Sequence, residues 1–120
     1  MARAAGDSER SRVPGIMHKL AAAKLQQGQV AEAEKLARES IELHRQVNGA
    51  DHPQTGWALF VLGKALAEQG RPSEALPCFQ ESLRIIRKNF PLNSKEIAVV
   101  LERLTALETA PSKEEQKSGR

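Results

Sequence analysis

The chain is expected to be all-α, a short solenoid of antiparallel helix hairpins amounting to about two and a half repeats. Three observations predict this. Apolar residues recur at helical spacing rather than with the alternation of a strand, as in Ala58, Leu59, Leu62 and Leu66. Helix stops recur along the chain at Gly28, Gly49, Gly70 and Pro91. A shift of 42 residues lays identical residues on one another: Leu20 on Leu62, Ala23 on Ala65, Gln27-Gly28 on Gln69-Gly70, Glu32-Ala33 on Glu74-Ala75, Glu39-Ser40 on Glu81-Ser82, and Arg45 on Arg87. A lone hairpin cannot bury both faces, so such units stack.

The elements follow in order. Residues 1–14 are polar and small, and read as a disordered tail closed by Pro14-Gly15. A first helix is expected over 16–27, with Ile16, Leu20, Ala23 and Leu25 in helical phase. The second is expected over 30–48, with Val30, Ala33, Ala37 and Ile41 on its apolar side. The third, 52–69, ends at Gly70, which can take the left-handed conformation without a Cβ clash. Pro72 suits the first turn of the fourth, 72–89, where its missing N–H is not needed. Asp51 and Asn93 fall 42 apart, each followed three residues later by Gln54 or Glu96, the reciprocal capping pattern. A fifth helix is therefore expected over 94–108, carrying Ile97, Val100, Leu101, Leu104 and Leu107. Residues 15–109 make the repeat domain, and residues 110–120, APSKEEQKSGR, a second disordered tail.

Small residues carry the packing expectations. Ala33 and Ala75 belong where two helices approach closely. Gly63 stands inside a helix, at a cost of about 1 kcal/mol relative to alanine, where a neighbour needs the space. Pro77 should bend the first turns of its helix.

Composition narrows the function classes. The net charge of +3 is spread as alternating Lys, Arg, Asp and Glu, with no basic block to suggest nucleic-acid binding. Aromatic residues are 3% of the chain, without tyrosine, which leaves no evident base-stacking platform. No apolar run is long enough to span a membrane. The N-terminus has no apolar core of a secretory signal, and the lone Cys78 suits a reducing compartment, so a cytoplasmic location is expected. His18, His44 and His52 lack partners at metal-ligand spacing, and Cys78 has no basic cluster to activate it. No phosphate loop, dinucleotide fingerprint or nucleophile elbow is present. The expectation is a protein that is not an enzyme and uses no cofactor or metal.

Leu62-Gly63, Leu66, Gly70, Ala75 and Phe79 resemble the tetratricopeptide (TPR) signature of leucine-glycine, a large residue, glycine, alanine and an aromatic. The period of 42, with Gly49-Ala50-Asp51-His52-Pro53 between hairpins, is similar to the longer repeats of kinesin light chains. The resemblance covers roughly residues 16–108. The first copy departs from it at Ala21 and Ala37, where glycine and an aromatic are usual. Both copies place serine, Ser40 and Ser82, at a later alanine position. His52–Gly70 is also similar to the helical C-terminal region of SET-and-MYND lysine methyltransferases, without a counterpart of their catalytic or zinc-binding segments.

The TPR resemblance implies a module that binds a peptide or another protein. It places His18, Ala22, Trp57, Phe60, Lys64, Glu68 and Glu102 on the concave face. Trp57, Phe60 and Lys64, at i, i+3 and i+7, share one side of a helix and would offer aromatic anchors beside a cation. Trp57 and Phe60 could equally pack between repeats. The alternative function is a structural, capping or oligomerising segment, with self-association through the fifth helix, whose apolar stripe meets no return helix before the chain turns polar.

Overall fold

Five α-helices follow one another: α1 (Ala2–Gln26), α2 (Val30–Val47), α3 (Pro53–Glu68), α4 (Pro72–Asn89) and α5 (Lys95–Thr109). The computed structural model describes the backbone of residues 2–109 and the side chains of residues 12–107. The expected tail over 110–120 lies outside the described residues. Consecutive helices pack on each other, α1 on α2, α2 on α3, α3 on α4 and α4 on α5, and α1 also touches α3. The described part of the chain is thus all-α and solenoidal.

The helix stops work as the glycines suggest. Gly28 and Gly70 have φ of 84° and 73°. At each, the next residue's N–H bonds back to a carbonyl five residues earlier, Gln29 to Lys24 at 2.9 Å and Arg71 to Leu66 at 3.0 Å. The glycine N–H itself bonds to Leu25 or Ala67 at 3.0 Å. This is the Schellman arrangement, and it satisfies carbonyls that a helix end would otherwise leave unpaired.

The helix starts need correction. His52, not Asp51, caps α3: its Nδ1 accepts from the Gln54 N–H at 3.0 Å. Pro53 occupies the first helical position, which makes the residue before it the cap. Asp51 instead receives Arg84 and Lys88 of α4 at 2.9 and 2.7 Å. At α5, Ser94 rather than Asn93 accepts from Ile97 N–H, at 3.4 Å.

The first helix differs most. It begins at Ala2, not near residue 16, and continues through Pro14. Proline removes one helical hydrogen bond, but here the ring is fully buried and its carbonyl accepts the Ser40 hydroxyl at 2.7 Å. Tertiary packing overrides the local signal. Pro14 therefore belongs to the packed domain rather than to a tail. The side chains of residues 2–11 lie outside the described residues.

Within each hairpin the 42-residue repeat is visible as chemistry. The Ser40–Pro14 bond has its copy in Ser82, whose hydroxyl donates to the Gly56 carbonyl at 2.8 Å, across the same 26-residue separation. The serines that depart from the TPR pattern therefore tie the two helices of each hairpin together. Ala33 and Ala75 are both fully buried, as helix crossings require. The other departures compensate one another. A Cβ on Gly63 would stand 2.8 Å from the Phe79 ring. In the first hairpin the corresponding pair is Ala21 and Ala37, both fully buried, with the missing aromatic making room for the added methyl.

Candidate functional site

The α3 side chains singled out in sequence do not all reach the surface. Phe60 is 7% exposed and lies in the core cluster with Phe79, Ile97 and Val100. Its ring meets Phe79 edge-on at 5.5 Å and Trp57 at 5.8 Å. Trp57 is half-buried, and its other edge meets Phe90, at 6.5 Å. Of the two readings open for Phe60, anchor or packing between repeats, its position is that of packing. Trp57 stands at the rim, with part of its ring in solvent.

Lys64 is half-buried one turn after Phe60, with Nζ 5.2 Å from the centre of that ring, a cation–π contact. Burial holds its ammonium below the ordinary lysine range; the Arg103 charge adds to this and Glu68 opposes it. Two cations from α3 and α5 thus face one another with a single carboxylate partly compensating. Among the described residues neither Lys64 nor Arg103 forms an ion pair. Glu68 is exposed at the end of α3, and Glu102 is exposed on α5. The structure therefore brings Trp57 and Lys64 against Phe60, with the charges of Glu68 and the exposed Arg103 near enough to act on Lys64.

His18 belongs elsewhere. It is buried against His44, Nδ1 to Nε2 at 3.2 Å, and His44 Nδ1 meets Asn48 Nδ2 at 3.0 Å. An amide nitrogen can only donate, so His44 Nδ1 accepts from Asn48, while its Nε2 lies within hydrogen-bond distance of His18 Nδ1. Burial favours the neutral form of both rings. Burial, then the charges of His18 and His52, hold His44 at about 4, and burial also lowers His18. In the second hairpin the corresponding residues are Phe60 and Ile86. The histidines are the first hairpin's polar version of a core pair.

Sequence reasoning missed two features. One is a cleft of about 380 Å³ lined by Arg38, Ile41, Glu42, Arg45, Leu59 and Leu62. At 100° per residue, Leu59 and Leu62 lie on the opposite side of α3 from Phe60 and Lys64. The other is Glu34, which receives Gln69 at 2.8 Å, Arg71 at 3.1 Å and Arg38 at 2.9 Å. These bonds, that from Gln69 first, hold its carboxyl below the usual range and tie α2 to the turn before α4. Cys78 is half-buried, and burial pushes its thiol up, away from the reactive thiolate.

Residues 12–88 match the family described as Tetratricopeptide repeat. That match does not distinguish the kinesin-light-chain-like type from other repeats of the family. No curated protein matches the chain.

Proposed function

Because the chain belongs to the tetratricopeptide repeat family, whose repeats generally mediate protein–protein interaction and are typically non-catalytic, we propose that it is a non-enzymatic module that binds a peptide on the α3–α5 face. A carboxylate of the peptide sits between Lys64 and Arg103, and an apolar side chain lies against the exposed part of Trp57. One observation carries this reading: two neighbouring cations without an ion pair among the described residues, one of them half-buried over an aromatic ring. An incoming carboxylate relieves their repulsion, most strongly at the half-buried Lys64. Phe60 supports the floor and does not touch the peptide.

The test is quantitative affinity capture with the wild-type chain and with Lys64→Glu/Arg103→Glu, followed by mass spectrometry. Captured proteins should be lost on charge reversal, and their retention should fall with salt, while the helical circular dichroism of the double variant is retained. Capture indifferent to both substitutions and to salt would remove this site.

A second reading rests on α5. Ile97, Val100 and Leu104 are buried and Leu107 is half-buried, but Val99 and Leu101 remain exposed. These two flank the buried stripe on opposite sides of α5, and self-association through the Leu101 edge is the structural alternative. Sedimentation of wild type against Leu101→Lys reads it directly.

A further inference from the structure

The three odd-numbered helices are copies of one another, and one face differs among them. On α3 it is Thr55, Ala58 and Leu62; on α5, Ile97, Val100 and Leu104. All six are buried. The preceding helix packs on each of these elements, α2 on α3 and α4 on α5. On α1 the residues 42 earlier are Val13, Ile16 and Leu20, and they are 46%, 64% and 47% exposed. They are larger apolar side chains than Thr55 and Ala58, yet nothing among the described residues covers them.

The molecule's own symmetry says what fits. α2 reaches α3 with Ile41, which lines the same cleft as Leu59 and Leu62. Seven residues earlier its Glu34 takes the Gln69 amide. Gln27 is the copy of Gln69, and it is exposed. Charge narrows the choice further. From residue 12 to residue 26, α1 carries Arg12, Lys19 and Lys24 and no carboxylate. Lys24 already pairs with Glu32 of α2 at 3.3 Å, but two α1 helices packed face to face over this stretch would bring Arg12 and Lys19 toward their own copies, which disfavours a second copy. Residues 110–120 contain no Leu, Ile, Val, Met or Phe and cannot supply the apolar row.

We infer that the Val13–Ile16–Leu20 face of α1 is a seat for an acidic amphipathic helix of another polypeptide, lying on α1 as α2 lies on α3. The incoming helix offers a carboxylate to Gln27 and, seven residues later, an apolar side chain to Leu20. This surface is separate from the α3–α5 face, and its test does not depend on that one.

The probe is a fluorescent, helix-stapled peptide copying residues 29–48, the helix that covers the corresponding face of α3. It carries Glu32, Glu34, Glu39 and Glu42 against Lys35, Arg38 and Arg45. Fluorescence anisotropy with the full chain should show saturable binding that weakens as salt rises. Ile16→Glu should reduce it at least about tenfold, and a peptide with Glu34→Lys should bind less tightly. Lys64→Glu should leave it unchanged. Ile16 is exposed, so an unchanged helical melt verifies that the variant is folded. No saturable binding, or binding indifferent to Ile16→Glu, overturns the inference. A concentration-dependent dimer that Ile16→Glu abolishes overturns the choice of partner, because the seat would then take a second copy.

Discussion

Acidification from pH 7 to pH 4 should weaken the first hairpin through His18 and His44. Burial favours the neutral form of both rings in the folded chain, and His44 is held at about 4 against an ordinary 6.5. The unfolded chain takes up a proton near 6.5 that the folded chain refuses until about 4. The unfolded state therefore binds more protons across this window, and stability falls as pH falls. At about 1.4 kcal/mol for each tenfold difference in proton affinity, His44 alone accounts for a loss of about 3 kcal/mol. In a domain of this size that lowers the melting temperature by roughly 10–20 °C. His18 adds loss in the same direction, since burial lowers it too. Glu34, Asp51, Glu74 and Glu81 are all held below their ordinary values by hydrogen bonds, so their contribution fades as pH falls from those ordinary values through the lowered ones and overlaps only the acid end of this window. The assay is urea unfolding followed by circular dichroism at half-unit pH steps. The control is His18→Phe/His44→Ile, which installs the second hairpin's residues, and its slope between pH 6.5 and 4 should flatten whatever its absolute stability. A wild-type stability that stays level from pH 6.5 to 4, or an equal slope in the double variant, would refute the neutral-pair reasoning.

Gly63→Ala should cost about 1–3 kcal/mol, because the new Cβ meets the buried Phe79 ring at 2.8 Å. Adding Phe79→Leu should then cost less than its effect in the wild-type background, a coupling that chemical denaturation of the four proteins in the cycle would measure. Phe60→Ala should lower stability by about 3–5 kcal/mol, as deletion of a buried aromatic does. A near-native melt for that variant would show that Phe60 is a surface residue after all. Ala75→Leu should cost about 1–3 kcal/mol by overpacking, and an unchanged melt would show that Ala75 is not at a helix crossing.

The middle of the fold was legible because its punctuation is local. Gly28 and Gly70 need the left-handed conformation, and Pro53 and Pro72 fit first turns, so the bounds of α2, α3 and α4 follow to within a residue. The start of α1 was not legible. Pro14 signals a break locally, and what overrides it is a hydroxyl 26 residues away. The caps slipped by one residue for a related reason: Asp51 is a good capping residue in isolation, but two α4 cations draw it elsewhere. The candidate site divided along the same line. Helical spacing correctly put Trp57, Phe60 and Lys64 on one side of α3. It could not tell how deep each sits, because depth is set by Phe79 on α4 and by Ile97 and Val100 on α5. His18 shared the expected register, but its buried partner His44 is visible only once the hairpin closes.

The paired serine bonds have a consequence for how faithfully such an array assembles. Contacts between hydrocarbon faces of two helices are set by shape and carry no direction of their own. A buried hydroxyl has a direction. Slipping α2 along α1, or α4 along α3, would take Ser40 or Ser82 away from its carbonyl, at about 1–3 kcal/mol for each stranded group. The same 26-residue bond is made in both hairpins, so each sets its own alignment without reference to its neighbour. An error in one hairpin therefore need not propagate to the next. Ser82→Ala, which removes the hydroxyl without stranding it, should leave the melt almost unchanged while letting α4 sample neighbouring alignments, visible as broadened amide signals confined to α3 and α4.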